Sequence, residues 1–156
     1  MRQEIPAVLN DALGFNIDRV AKLFRRELTL ALADYDLTPE QWQIMSVIWN
    51  GGKALNQKNI TQLTLKDKHN VSRLIKRLVA KGWLEKHSDP NDARVFLVTA
   101  TTKGQAQREA VTHQLYAHFE NLKIGLSEQD RAQLLNFLKM IRLHLGDDEK
   151  LEGRSS

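Results

Sequence analysis

Between Asn56 and Lys103 the chain sets out, in order, a short helical stretch, a polar turn, a second helical stretch dense in Lys and Arg, and two strand-like runs. The first helix is expected over Gln57 to Leu63, capped by Asn56, with Ile60 and Leu63 facing inward. Thr64-Leu65-Lys66 makes the turn, and Asp67 caps the next helix, where its carboxylate also complements the helix dipole. On that second helix Val71, Leu74, Ile75, Leu78 and Val79 repeat at three- and four-residue steps and form one apolar stripe. His69, Asn70, Arg73, Lys76 and Arg77 fall on the opposite side, and Gly82 closes the helix. Trp83–His87 and Val95–Thr99 have strand character, and the loop Ser88-Asp89-Pro90-Asn91-Asp92-Ala93-Arg94 is short enough to pair them antiparallel. A basic helix followed directly by a basic-tipped hairpin is a device that holds a duplex by two grooves at once, so the segment reads as a winged helix-turn-helix with a two-stranded β wing.

Helices flank this module on both sides. The periodicity of Ile17, Val20, Phe24, Leu28 and Ala31 predicts a long helix from about Pro6 to Asp34. Asp36-Leu37 breaks it, and Thr38 with Gln41 forms a capping box around Pro39 for a helix to Trp49, which Gly51-Gly52 ends. Thr101 caps a helix over about Thr102 to Leu122, interrupted near Ile124-Gly125. Ser127 with Asp130 caps a last one through Leu145, with Leu134, Leu138, Ile141 and Leu145 on one stripe. The fold class expected is mainly α. Trp42, Trp49 and Trp83 are expected in the core.

The net charge of +4 is unevenly spread. From Lys53 to Arg108 there are twelve basic residues against four acids, a local +8, whereas the remainder holds eleven basic residues against fifteen acids, or −4. A concentrated positive field between segments of opposite sign suits capture of a polyanion. The 156 residues contain no cysteine, which removes structural disulfides, thiolate zinc sites and thiol redox sensing, and makes the cytoplasm the expected location. No run approaches the roughly 18 apolar residues of a membrane span, and no signal-peptide pattern opens the chain.

The segments Asn70-Val71-Ser72-Arg73-Leu74, Lys81-Gly82-Trp83-Leu84, Asp89-Pro90-Asn91-Asp92-Ala93-Arg94 and Thr101-Thr102-Lys103-Gly104 stand in an order and spacing that resembles the MarR family of bacterial transcription regulators. The resemblance covers about Leu37 to Gly104, and the flanking helices match by pattern. Two positions depart from it: the wing tip carries Ala93-Arg94 where two adjacent arginines are usual, and Leu65 stands where a turn glycine is frequent. The first is expected to weaken wing contacts; the second costs little if the turn keeps φ negative. The resemblance implies a homodimer held by residues 1–36 and 101–146, a DNA-binding module over 37–100 and a flexible tail over 147–156. It also implies a repressor that acts on a pseudo-palindromic operator in double-stranded DNA and is released by a small aromatic or amphipathic effector. The apolar stripes of the terminal helices agree with dimerisation, since the central module has too little surface to cover them.

Within that frame, side-chain chemistry assigns roles. Arg73, Lys76 and Arg77 lie on the groove-facing side, where an arginine can donate bidentately to guanine. Asn70 and Ser72 are short enough to reach base edges or phosphates. Asn56 and Gln57 would contact phosphate at the start of the first helix, and Lys66, Lys68 and His69 surround the entry to the second. Arg94 is the minor-groove candidate and Asp92 its brace, because a carboxylate aimed at DNA is repelled. No metal site or cofactor is expected: among His69, His87, His113, His118 and His144 no pair has the i, i+4 spacing of a helical metal site, and a zinc site would have to form across helices or subunits from His113 or His118 with Glu109 or Glu120. Neither a nucleophile with a neighbouring base nor a glycine-rich phosphate loop is apparent, so no enzyme is expected. Two rival readings fit the same pattern, a protein-docking winged module and a non-specific nucleic-acid binder.

Overall fold

In the computed structural model, which describes residues 4–122 and 124–147, side-chain caps set the starts of five helices, at Thr38, Asn56, Asp67, Thr101 and Ser127. The helices are α1 (Ala7–Asn10), α2 (Leu13–Ala31), α3 (Pro39–Asn50), α4 (Gln57–Thr64), α5 (Lys68–Ala80), α6 (Thr102–Ala106), α7 (Arg108–Asn121) and α8 (Glu128–His144); the strands are β1 (Leu55–Asn56), β2 (Leu84–Ser88) and β3 (Phe96–Ala100). At α3, Thr38 Oγ1 accepts from Gln41 N at 3.2 Å and Gln41 Oε1 accepts from the Thr38 N–H at 3.1 Å, the capping box expected from the sequence. Asp67, Thr101 and Ser127 likewise accept from the N–H three residues on. Each satisfies a backbone donor that has no partner inside its helix.

Two long helices expected from periodicity are broken. The first divides into α1 and α2, with a 3₁₀ turn at Ala33–Tyr35. Asn16 stabilises the break, because its side-chain amide donates to the Asn10 and Ala12 carbonyls at 2.7 and 3.0 Å. The helix after Thr101 is divided at Gln107 into α6 and α7. The wing hairpin forms one residue later than expected on each strand, with Leu84 opposite Ala100 and Ser88 opposite Phe96. A third strand, β1, joins it on the other edge of β3 through Leu55–Val98 and Asn56–Leu97, giving the order β1-β3-β2. Two residues are too short to leave a period in a sequence.

The core sits between α3, α4, α5 and the sheet. Ile44, Met45 and Ile48 of α3, Ile60 of α4, Val71, Leu74, Ile75 and Leu78 of α5, Leu84 of β2 and Val98 of β3 are all buried. Trp49 and Trp83 are buried with ring centroids 6.5 Å apart and tilted by 52°, an arrangement that contributes about 0.5–1.5 kcal/mol beyond its area. Trp42 is half-buried instead. Leu63 does not face inward; Thr64 completes the inner stripe with Ile60, and its hydroxyl donates to the Ile60 carbonyl at 2.7 Å.

The root of the wing is crossed closely by the start of α6. Thr101 N donates to Trp83 O at 3.1 Å and Thr101 Oγ1 to Gly82 O at 2.6 Å. Trp49 Nε1 donates to Gly104 O at 3.2 Å. A Cβ on Gly104 would lie 2.2 Å from the Trp83 carbonyl oxygen, so no other residue fits without backbone movement.

The chain forms two compact units that part between His118 and Phe119. In the first, α7 is joined to α2 by His118 Nε2 and Glu27 Oε2, 3.2 Å apart. On the apolar face of α2, Ile17 and Val20 are exposed and Leu28 is half-buried. In the second unit α8 buries none of its residues, and Arg131 pairs with Glu120 at 3.3 Å. Asp147, the first residue of the expected tail, accepts from Arg142 Nε at 2.6 Å; the rest of that tail lies outside the described residues. Among the described residues no helix is long and apolar enough to cross a membrane.

The turn between α4 and α5 corrects one expectation. Leu65 adopts φ 52° and ψ 25°, in the left-handed region, whereas a negative φ was the condition for a leucine there to cost little. Its side chain is 74% exposed and recovers little of that cost by packing. Leu65→Gly should therefore stabilise the fold by about 1 kcal/mol, a rise of roughly 2 to 4 °C in Tm, read by thermal melts at matched protein concentration. Gly104→Ala should act the other way, costing roughly 1 to 3 kcal/mol in urea unfolding because the new methyl group meets the Trp83 carbonyl.

Candidate nucleic-acid interface

The two-sided character of α5 sets the site. Its inner stripe is buried, and Lys68, His69, Ser72, Arg73, Lys76 and Arg77 are all exposed on the outside, with Asn70 half-buried. Arg73 Nη2 donates to Asn70 Oδ1 at 3.1 Å, one turn back along the helix. This bond steers the guanidinium toward the N-terminal half of α5. The Asn70 N–H in turn donates to Asp67 Oδ1 at 2.9 Å. That bond is the foremost reason the Asp67 carboxyl sits below its ordinary value.

Other expected contacts are engaged inside the protein. Asn56 Oδ1 accepts from Asn59 N at 2.9 Å, while Asn59 Oδ1 accepts from the Asn56 N–H at 3.3 Å, a second capping box. Asn59 was not singled out by the sequence reading, since asparagine is not the usual residue at the third helical position of such a box. Gln57 Nε2 donates to the Lys68 carbonyl at 3.0 Å, so it ties the start of α4 to the start of α5. Asn56 thus fixes the start of α4, and Gln57 joins that start to α5. Lys66 is half-buried; burial first, then the Arg25 guanidinium of α2, holds its ammonium below the ordinary lysine range, with Asp67 opposing. Some of the basic block is likewise occupied: Lys81 Nζ donates to Asp36 O at 2.6 Å, Lys103 Nζ to Lys81 O at 2.9 Å, and Arg108 Nη2 to Asn50 Oδ1 at 3.1 Å.

The wing tip is an organised turn. Asp89 Oδ1 accepts from Asn91 N at 2.8 Å, and Asp92 Oδ1 accepts from Arg94 N at 3.0 Å. The same Asp92 oxygen lies 3.9 Å from Arg94 Nε. The Arg94 side chain remains 95% exposed at the extremity of the hairpin. Separately, an open groove of about 670 Å³ runs along α6 and α7, lined by residues that include Arg108, Thr112, His113 and Tyr116.

A sequence model of the MarR family matches residues 35–95. The multiple antibiotic resistance protein MarR of Escherichia coli is 30% identical to this chain over 131 residues, spanning 83% of the chain and 90% of that protein. The crystal structure of a cysteine-to-serine mutant of E. coli MarR, complexed with operator DNA, matches with a TM-score of 0.76 and 30% identity over 83% of this chain and 92% of its own. CouR from Rhodococcus jostii RHA1, crystallised with p-coumaroyl-CoA, matches with a TM-score of 0.77 and covers 87% of this chain and 95% of its own. At 21% identity the latter is a likeness of fold alone.

The Asp67 cap is sensitive to acid. Because the folded carboxyl is depressed below its ordinary value of 3.8, its contribution is complete above that pH and fades as pH falls toward the folded pKa. The stability of the wild type relative to Asp67→Asn, which caps without titrating, should therefore decline below about pH 3.8 in denaturant titrations.

Proposed function

This chain belongs to the MarR family of transcription regulators, and we propose that it works as a cytoplasmic homodimeric, sequence-specific repressor that a small aromatic or amphipathic ligand releases from its operator. The observation that carries the DNA-binding reading is the exposed cationic side of α5, backed by the buried Val71, Leu74, Ile75 and Leu78, with the Arg94 side chain exposed at the wing tip. In this reading Arg73, Lys76 and Arg77 enter the major groove, with Asn70 and Ser72 reaching bases or phosphates. Lys66, Lys68, His69, Asn56 and Gln57 lie along the backbone, and Arg94 occupies the minor groove with Asp92 behind it. The E. coli relative complexed with operator DNA supports this docking.

The dimer follows from surface left unsatisfied. Exposed Ile17 and Val20 on α2 and exposed Leu134, Phe137 and Leu138 on α8 are apolar faces that a second copy would cover. Residues 1–36 and 101–146 would then make the dimer and 37–100 the DNA module. Two-fold symmetry would set the α5 helices about 34 Å apart and call for an inverted repeat with half-sites one helical turn apart. For release, a ligand need only favour a dimer whose module spacing misfits the operator, a coupling of typically ~1 to 3 kcal/mol. The groove along α6 and α7 is a candidate seat, and CouR with its bound p-coumaroyl-CoA supports ligand control in this fold.

Competition between the promoter region of the protein's own gene and random duplex, measured across a salt series, tests the reading. The specific complex should be tighter by roughly a thousandfold or more. Arg73→Ala should lose ~1 to 3 kcal/mol and blur discrimination, and Arg94→Ala should weaken binding at the flanking minor groove. Equal affinity for both duplexes would indicate a non-specific binder. Affinity untouched by either substitution, or a monomer in sedimentation, would count against the proposal.

A further inference from the structure

The register of the wing places an unexpected residue on its body-facing side. Residues opposite one another in an antiparallel pair share a face, and so do residues two apart along a strand. Leu84, Val98 and Leu55 therefore lie on one face of the sheet, with Leu55 and Val98 directly paired, and all three are buried against the helices. Phe96, two residues before Val98, is on that same face but beyond the edge of the core, and it is 54% exposed. Lys86, opposite Val98 and hence diagonal to Phe96, is exposed on this face as well. Arg94 follows two residues further toward the tip. The rest of the hairpin from Glu85 to Arg94 is almost wholly polar or charged.

A single exposed aromatic is unremarkable by itself. This one is diagonal to Lys86 on the side of the wing that carries the buried Leu84 and Val98, with Arg94 two residues before it in the chain. If α5 lies in a major groove and the wing tip in the neighbouring minor groove, the part of the duplex that passes between α5 and the tip is the sugar–phosphate strand between the two grooves. That strand alternates an apolar deoxyribose with an anionic phosphate, and a phenyl ring beside an ammonium complements the alternation.

We propose that Phe96 and Lys86 form a sugar–phosphate saddle, in which the Phe96 ring packs on one deoxyribose and the Lys86 ammonium meets the adjacent phosphate, fixing how deeply the wing sits. The inference rests on the DNA-binding reading above and adds to it a non-ionic contact. The two members are separable by salt. A phosphate contact releases counterions, so Lys86→Gln should lower affinity and flatten the log–log salt dependence by roughly 0.9 per protomer. Removing an apolar contact releases none, so Phe96→Ala should lower affinity roughly tenfold with the slope unchanged.

The test is operator binding by wild type, Phe96→Ala, Phe96→Leu, Lys86→Gln and Arg73→Ala over a salt series, together with hydroxyl-radical footprints, which read exposure of individual deoxyriboses. A tenfold loss at constant slope for Phe96→Ala, a smaller loss for Phe96→Leu and the return of cleavage at one sugar in each half-site are expected. Wild-type affinity and an unaltered footprint for both Phe96 variants, with Arg73→Ala impaired, would overturn the saddle and leave the regulator intact. Arg73→Ala binding like wild type would instead remove the DNA-binding reading, and the saddle with it. Should Phe96→Ala fail to fold, Phe96→Leu decides; failure of both assigns Phe96 to the core and overturns the proposal.

Discussion

The burial of Val71, Leu74, Ile75 and Leu78 is the constraint from which the rest of the molecule follows. Four apolar side chains on one side of α5 lock its rotation about its own axis, because turning it by even a third would expose them and bury arginines unpaired. With rotation settled, Ser72, Arg73, Lys76 and Arg77 have no choice of direction. Hydrophobic packing, which recognises nothing, thereby aims the side chains that do. The same packing seats β2 and β3 through Leu84 and Val98, so the position of the wing relative to α5 is decided in the core.

Local hydrogen bonds refine what packing sets. The Asn56–Asn59 box fixes the start of α4, and the bond from Gln57 to the Lys68 carbonyl ties it to the start of α5. Arg73 and Asn70 restrict each other, and Asp92 holds the backbone that carries Arg94. Side chains held before a ligand arrives lose less conformational entropy on binding than free ones. Lys66 stands apart, since burial and Arg25 both oppose its charge and a neighbouring anion would relieve it.

Much of this was legible in the chain. Caps at Thr38, Asn56, Asp67, Thr101 and Ser127 could be read because the side chains that satisfy helix donors are few and their spacing is strict. The stripe on α5 and the turn chemistry at Asp89–Arg94 were readable for the same reason. Illegible were features decided by contacts distant in sequence. β1 exists because Leu55 and Asn56 find β3 some forty positions later; Leu63 yields its inward place to Thr64; and the long first helix breaks where the Asn16 side chain competes for backbone carbonyls. The turn at Leu65 shows the limit most plainly. A leucine there costs little only at negative φ, and the geometry that joins α4 to α5 imposes a positive one.

The crossing at Gly104 makes the hairpin and the helix behind it a single mechanical part. Thr101 and Gly104 grip the stretch Gly82–Trp83 from one side while the Trp49 indole grips Gly104 from the other, with no slack for a side chain between them. These bonds anchor the root of the hairpin to the start of α6, so a displacement of α6 would act first on the residues that carry the arm.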